Sequence, residues 1–289
     1  MTTVLHVSDL HFGTEVPQAV EALVRLARAQ PPDVLIVSGD ITQRARRSQF
    51  DAAQRFIERL AAAHVLVLAG NHDIPLFDLP RRLLTPYAGF RRAFGEELEP
   101  RLDTPSLRIA AVHTARAWRH VVGHVTPAQA ERTAAWLAEA PPRALRIIVT
   151  HQPALVPDGQ DAAQRLRGAD EALRHWSHAR VHLVLGGHIH RPYFQQAPAP
   201  LNAGPHRLWV AQAGTAISHR LRAPYPHSVN LLREVALGHW QLQRWNLEPG
   251  AADFTCGDTL PLATDAARGD ALSYAAHAAR PTDPSRAPF

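Results

Sequence analysis

The sequence predicts an α/β fold in which a largely parallel sheet packs against a second sheet, with helices on the outer faces. Three observations support this. Short β-type runs alternate with helix-patterned segments through the first half of the 289 residues, and helical periodicity ends near residue 191. Polar residues follow the strands directly, at the end where such sheets bind ligands.

The elements follow from hydrophobic periodicity in chain order. Residues 3–8, 33–40 and 64–73 read as buried strands, and the apolar i, i+3, i+4 spacing of 16–30 and about 47–61 predicts helices between them. Further predicted elements are a helical region near 80–95, strands near 107–112 and 117–122, a helix with Thr126 as N-cap, and strands at 145–151 and 181–190. The strands after residue 191 are expected to form the second sheet.

Composition also divides the chain into two parts. Residues 1–250 carry the periodic pattern and are expected to form the folded domain. Residues 251–289 are rich in Ala, Asp and Pro, and this composition predicts an extended or disordered C-terminal extension.

Bulk properties narrow the class of protein. The chain has no apolar run long enough for a bilayer and no secretory pattern at its N-terminus, so we expect a cytoplasmic protein without a membrane partner. The single Cys256 excludes an intramolecular disulfide and a cysteine-based zinc site. The formal charge is +5 without a dense basic block beyond "RARR", which disfavours nucleic acid as a partner. A homodimer is kept as an alternative to a monomer.

Polar residues gather at the predicted strand ends in five separate segments. They are Asp9, His11, Asp40, Asn71, His72, Asp73, His151, His188 and His190. Each alone is a weak signal, but five in order are hard to reach by chance, and they should meet at one edge of one sheet. The spacing of two in "DLH" and "HIH" places both side chains on one face of an extended segment, within reach of one ion.

These motifs resemble the calcineurin-like metallophosphoesterase superfamily. "DLH", "GD", "GNHD", "H" and "GHIH" occur in its order from Asp9 to His190. Within that superfamily, the chain is most similar to bacterial class III cyclic-nucleotide phosphodiesterases in the segments "SDLHFG", "SGDITQRAR" and "AGNHDIPL". Residues 212–230 also resemble a segment of those enzymes. The resemblance implies a four-layer double β-sandwich flanked by helices, the metallophosphoesterase fold, with two metal ions at the strand ends.

The resemblance also implies individual roles. The metal ligands would be Asp9, His11 and His190 at the first ion, Asp40 between both, and Asn71, His151 and His188 at the second. His72 and Asp73 are the candidate catalytic residues: His72 would act on the phosphate, and Asp73 either orients His72 or stabilises the turn. His219, Arg220 and Arg222 are the candidates for a substrate-facing wall. Many relatives have two adjacent His where this chain has His151 and Gln152, so Gln152 is expected beside the ligands.

The donor chemistry points to a phosphoryl substrate. Imidazole, carboxylate and amide ligands suit two transition-metal ions, Mn²⁺ or Fe first and Zn²⁺ or Co²⁺ next. Two divalent ions outweigh the two Asp charges, and such pairs generate hydroxide at neutral pH. We therefore expect a phosphodiesterase for a small phosphodiester, foremost a cyclic nucleotide, acting by attack of a metal-bridging hydroxide on phosphorus. The alternatives are a nuclease or phosphomonoesterase of the superfamily, or a scaffold without activity.

Overall fold

The computed structural model describes residues 1–119, 121–202 and 207–267. Its helices are α1 Pro17–Ala29, α2 Arg47–Arg59, α3 Leu79–Leu84, α4 Ala88–Phe94, α5 Pro127–Ala138 and α6 Ala169–His178. Its strands are β1 Thr3–Val7, β2 Val34–Val37, β3 His64–Val67, β4 Arg101–Asp103, β5 Leu107–Ala111, β6 Leu145–Val149, β7 Leu183–Gly186, β8 Tyr193–Gln196, β9 Trp209–Gln212, β10 His227–Ala236, β11 His239–Leu247 and β12 Thr255–Ala263. A short 3₁₀ segment, the Gly159–Gln164 turn, precedes α6.

Two six-stranded sheets form the centre of the molecule. The first has the order β12-β11-β10-β1-β2-β3, and the second has the order β4-β5-β6-β7-β9-β8. As predicted, β1, β2 and β3 are parallel, each joined to the next by a helix. In the second sheet β5, β6, β7 and β9 are parallel, while the edge strands β4 and β8 run antiparallel.

The period of two along each strand sorts apolar side chains into separate cores. In β2, Leu35 and Val37 pack with α1 and α2 on the outside, whereas Val34 and Ile36 face the second sheet. On the far side of the second sheet, Trp176 of α6 belongs to a third core that α5 also joins. The order is therefore helices, sheet, sheet, helices.

The helix predicted from Thr126 begins as expected. The Thr126 hydroxyl accepts a hydrogen bond from the Gln129 backbone N–H at 3.2 Å, and the Gln129 side chain accepts one from the Thr126 N–H at 3.1 Å. Pro127 occupies the first turn, where its missing N–H costs nothing. This capping box and proline fix the start of α5.

Three sequence expectations differ from the structure. The strands after residue 191 do not make up the second sheet by themselves, because β10, β11 and β12 join the first sheet beside β1. Helix α6 was not predicted. Residues 117–119 and 121–122 form no strand and belong to a loop, in which Gln152 donates to the Val121 carbonyl while Arg116 donates to the carbonyls of His113 and His124 on either side.

The first sheet continues past residue 250, where the sequence places the start of an extension. Strand β12 pairs with β11, and Asp265 behind it accepts a hydrogen bond from buried Arg146 at 2.6 Å. The same guanidinium donates to the carbonyls of Leu137 and Ala140. Residues 268–289 of the predicted extension lie outside the described residues. Among the described helices, none is long and apolar enough to cross a membrane.

Asp265→Ala should lower the free energy of unfolding by about 3 kcal/mol, because it leaves the Arg146 charge buried without a carboxylate. Asp258→Ala is the matched control, since Asp258 pairs with Arg244 but its side chain is 65% exposed. That change should cost at most about 1 kcal/mol. Urea denaturation measures both. Equal effects would show that Asp265 does not anchor the C-terminal segment.

Candidate metal centre

The predicted ligands come together from the ends of both sheets. Asp9, Asp40 and Asn71 follow β1, β2 and β3 of the first sheet, whereas His151 and the His188–His190 segment follow β6 and β7 of the second. The expectation of one edge of one sheet is therefore wrong. Donor atoms of Asp9, His11 and His190 lie within 4.8 Å of one another, and so do those of Asp40, His151 and His188.

The backbone turns sharply at the candidate ligands. The described chain has eight non-glycine residues with positive φ, and five of them are predicted ligands: Asp9 at 53°, His11 at 45°, Asp40 at 47°, His188 at 75° and His190 at 55°. Each such residue costs about 1–2 kcal/mol. The "DLH" and "HIH" segments are consequently not extended, and His188 and His190 reach different clusters. Strain concentrated on polar side chains that share one site is typical of a functional centre.

The first cluster joins Asp9, His11 and His190. His190 Nε2 lies 3.1 Å from His11 Nε2 and 3.2 Å from Asp9 Oδ1. His190 Nδ1 contacts the backbone carbonyl of Arg220, which can only accept, so Nδ1 carries the proton. The lone pair of neutral His190 is then on Nε2 and faces the carboxylate of Asp9.

The second cluster repeats this arrangement around His151. Its Nδ1 donates to the Ser38 carbonyl at 2.8 Å, which leaves the lone pair on Nε2. That Nε2 lies 3.2 Å from Asn71 Oδ1 and 3.2 Å from Asp40 Oδ1. Acceptor atoms this close need a proton or a cation between them.

Asp40 belongs to both clusters. Its Oδ1 faces His151, and its Oδ2 lies 3.7 Å from His11 Nε2 in the first cluster. Oδ1 also accepts a hydrogen bond from the His72 backbone N–H at 2.8 Å, which fixes the carboxylate. Gly70 leaves no room beside it, since an added Cβ would lie 2.2 Å from Asp40 Oδ1. The position suits a carboxylate shared by two ions.

Titration of the buried groups reflects the same crowding. Burial lowers the pKa of His11 to about 3, although Asp40 and Asp9 act against it. Burial also lowers the pKa of His151, but the Asp40 carboxylate outweighs it and raises that pKa to about 9. A proton on His151 thus relieves the contact with Asp40 in the metal-free chain. The facing lone pairs and carboxylates fit a pair of divalent cations, which would replace that proton.

His72 stands beside the clusters and lines a cavity. Its Nδ1 contacts the Gln43 carbonyl at 3.1 Å and must donate, so the second nitrogen of the neutral ring is an acceptor. The ring packs edge-on against His11, with centroids 4.8 Å apart. His11, Asp40 and His72 also bring donor atoms within 4.8 Å of one another.

The carboxylate of Asp73 accepts hydrogen bonds from the turn around it. Its oxygens accept from the backbone N–H groups of Ile41, Thr42 and Gly70 and from the Thr42 hydroxyl, at 2.8–3.1 Å. These bonds tie the loops after β2 and β3 together. They favour the alternative in which Asp73 stabilises the turn, and they leave a catalytic role for Asp73 without geometric support.

Gln152 also holds a loop. It is fully buried, its Oε1 accepts from the Thr114 hydroxyl at 2.6 Å, and its Nε2 donates to the Val121 carbonyl at 3.2 Å. The residue beside His151 therefore positions the loop that brings Val121 to the cavity wall.

The cavity above the clusters has a volume of about 450 Å³. Its lining includes the predicted Asp40, Asn71, His72, His188, His190 and Arg220, together with Val121, Gln160, Asp161, Gln164, Ile189 and Arg222. Arg220 donates to the Gln43 side chain at 3.1 Å. His219 is exposed and is not among the lining residues, so its substrate-facing role lacks support.

Sequence reasoning missed the residues of the Gly159–Gln164 turn. Gln160, Asp161 and Gln164 line the cavity, yet no motif or periodicity marks them. Arg222, a candidate for the substrate-facing wall inside residues 212–230, lines the same cavity and contacts this turn. Its guanidinium donates to Asp161 at 2.6 Å and so fastens the turn to that segment.

Comparison with known proteins agrees with this architecture. A model of the calcineurin-like phosphoesterase family matches residues 2–192. A Synechococcus protein named "probable cyclic nucleotide phosphodiesterase" is 26% identical over 203 residues, which cover 67% of this chain and 75% of that protein.

Two solved structures share the fold. A dimetal phosphatase from Danio rerio superposes with a TM-score of 0.64 at 13% identity, over 91% of this chain and 99% of that one. A purple acid phosphatase from yellow lupin, Lupinus luteus, gives 0.65 at 14% identity over 91% of this chain, which spans 53% of the plant chain. The predicted four-layer metallophosphoesterase fold is confirmed.

Proposed function

This chain belongs to the calcineurin-like phosphoesterase family, and on that premise we propose that it is a two-metal phosphodiesterase for a small phosphodiester. The carrying observation is the pair of donor clusters that share Asp40 at the base of the cavity. The relative named as a probable cyclic nucleotide phosphodiesterase makes cyclic nucleotides the first substrates to test.

The donor atoms divide naturally between two ions. The first would be held by Asp9, His11, Asp40 and His190, and the second by Asp40, Asn71, His151 and His188. Bound ions of this kind supply a nucleophile from water at neutral pH and polarise the phosphoryl oxygens. Asp9 and Asp40 bring two negative charges, so two divalent ions leave the site net positive. That charge favours a phosphodiester anion over a neutral ester.

The chain's own residues complete the site around the phosphate. Gln43 holds the His72 ring through Nδ1, so the second nitrogen is the one that would act on substrate. Because that nitrogen is an acceptor in the neutral ring, His72 donates to the leaving alkoxide only as imidazolium. The same positive charge stabilises the phosphoryl oxygens. Arg220 presents a guanidinium from the wall and holds His190 through its carbonyl.

The shape of the cavity supports a diester. Beyond the clusters, Val121, Ile189 and Gln160 line further space, and about 450 Å³ lies within the range of small-molecule sites. A second ester group would have room there. A monoester would leave that wall without contacts.

Bis(4-nitrophenyl) phosphate should therefore be hydrolysed with a higher kcat/KM than 4-nitrophenyl phosphate by the Mn²⁺-reconstituted protein. The same assay should then compare 3′,5′-cyclic, 2′,3′-cyclic and glycerol diesters to find the natural class. A preference for the monoester would contradict the diesterase proposal and indicate a phosphatase. Hydrolysis of neither compound, with metal bound, would favour the inactive scaffold.

A further inference from the structure

In three of the candidate histidine ligands, one ring nitrogen points away from the cluster and forms a hydrogen bond to an oxygen atom. His151 and His190 donate from Nδ1 to the backbone carbonyls of Ser38 and Arg220. His188 differs, because its Nε2 contacts a side chain, Oε1 of Gln164, at 3.0 Å. The hydrogen bond that orients the His188 ring can therefore be removed by mutation of Gln164.

The Gln164 contact determines which nitrogen of His188 can bind a cation. The amide oxygen can only accept, so Nε2 carries the proton and Nδ1 has the lone pair. Nδ1 is buried and has no hydrogen-bond partner in the described structure. A ring nitrogen of His188 also lies within 4.8 Å of donor atoms of Asp40 and His151. Because Gln164 leaves the lone pair on Nδ1, this buried nitrogen is the one suited to coordinate a cation.

The backbone of His188 is fixed as well. Its N–H donates to Asp9 Oδ2 at 2.9 Å, and its φ of 75° holds it in a sharp turn. With the backbone fixed, the remaining freedom is rotation of the ring. Gln164 restrains that rotation with a hydrogen bond, while the His151 ring packs edge-on against the His188 ring with centroids 5.1 Å apart.

The turn that carries Gln164 is itself fastened to the histidine segment. Asp161 is 3% exposed and accepts from Arg222 at 2.6 Å and from Arg191 at 3.0 Å. Arg222 also donates to the carbonyl of Ile189, next to His188, at 3.3 Å. The Gly159–Gln164 turn and the ligand segment thus form one connected unit. A partner on a fixed support restrains its ligand more than one on a loose loop.

We propose that Gln164 is a positioning residue for the second metal ion, selecting the His188 tautomer with Nδ1 directed at the cluster. The inference rests on the proposed function, since it requires a second ion. Beyond that function, the inference assigns part of the affinity for the second ion to Gln164, a cavity-wall residue outside the ligand motifs. Partners of this kind typically change metal affinity 10–100-fold. The first site, whose His190 is held by a backbone carbonyl, should not depend on Gln164.

Gln164→Leu and Gln164→Glu separate hydrogen bonding from bulk. Leu has similar size and no acceptor, whereas the Glu carboxylate accepts the same bond. Titration of metal-free protein with Mn²⁺ should show that Leu weakens the second ion roughly 10–100-fold and leaves the first unchanged. Glu should keep both. Gln160→Leu, on the same turn and cavity wall, is the matched control and should bind both ions as the wild type does.

A measurement on metal-free protein keeps the test independent of metal loading. Long-range ¹H–¹⁵N spectra report which imidazole nitrogen is protonated, and His188 should be protonated at Nε2 in the wild type and in Gln164→Glu. In Gln164→Leu that preference should be lost while the other histidine signals persist, which also shows that the variant is folded.

Two results would overturn the proposal. One is unchanged affinity for the second ion in Gln164→Leu, and the other is equal loss in the Leu and Glu variants, which would mean that a hydrogen-bond acceptor at residue 164 is not what holds the ion. A wild-type protein that binds fewer than two ions would instead refute the proposed function. The stoichiometry of the wild type therefore distinguishes the two failures.

Discussion

Asp40→Asn should remove both ions and reduce phosphodiester hydrolysis to the uncatalysed background. The change keeps the shape of the side chain but removes the charge that faces His11 on one side and His151 on the other. Neither cluster then has a bridging carboxylate, and a neutral amide cannot offset two divalent ions. Elemental analysis after gel filtration should fall from roughly two ions per chain, as expected for a two-metal site, to less than one.

Asp51→Asn is the control for a general loss of charge. Asp51 on α2 pairs with Arg92 at 3.1 Å, its side chain is 40% exposed, and it belongs to neither donor cluster. Metal content and turnover should be those of the wild type. If Asp40→Asn retained two ions, the two clusters would not share a ligand and the assignment of Asp40 would be wrong.

The candidate ligand positions could be predicted from sequence because their signal is local. Each candidate ligand lies two to four residues beyond the end of an apolar strand, so a pattern of a few residues locates it. The pattern of five such segments in order then outweighs the weakness of each. The local pattern could not predict which strands belong to which sheet, because β10 pairs with β1 across more than 220 residues of sequence.

Sequence also misread segments whose contacts are not local. Residues 117–122 have strand-like composition, yet a buried side chain, Gln152, donates to the Val121 carbonyl, and Arg116 donates to the carbonyls of His113 and His124 on either side of the segment. Gln164 is 24 residues from His188, and its role depends on one side-chain contact. Hydrophobic periodicity reports which face is buried, so it carries no information about either case.

Asp73 was a candidate catalytic residue because it directly follows His72 in the sequence. Asp9, His11 and Asp40 have positive φ in the loops after β1 and β2, and Asp73 supplies hydrogen bonds between the loops after β2 and β3. In the sequence, a buried Asp looks the same whether its carboxylate binds a metal, a substrate or backbone N–H groups. Only its partners distinguish these roles.

The neighbours Asn71 and His72 should respond differently to truncation. Asn71 Oδ1 lies 3.2 Å from His151 Nε2 within the second cluster, so Asn71→Ala should weaken the second ion and be partly rescued by excess Mn²⁺. His72 lines the cavity with Nδ1 tied to Gln43. His72→Ala should therefore keep both ions. Metal analysis separates the two variants before any kinetics.

Turnover by His72→Ala should fall roughly a hundredfold or more, the scale expected for losing a proton donor and a charge stabiliser. The penalty should be larger for a nucleotide ester than for a nitrophenyl ester, because an alkoxide of high pKa needs the proton more. An equal penalty on both esters would restrict His72 to an electrostatic contact and refute the general-acid role. Loss of an ion would mean that His72, which lies within reach of Asp40 and His11, is itself a ligand.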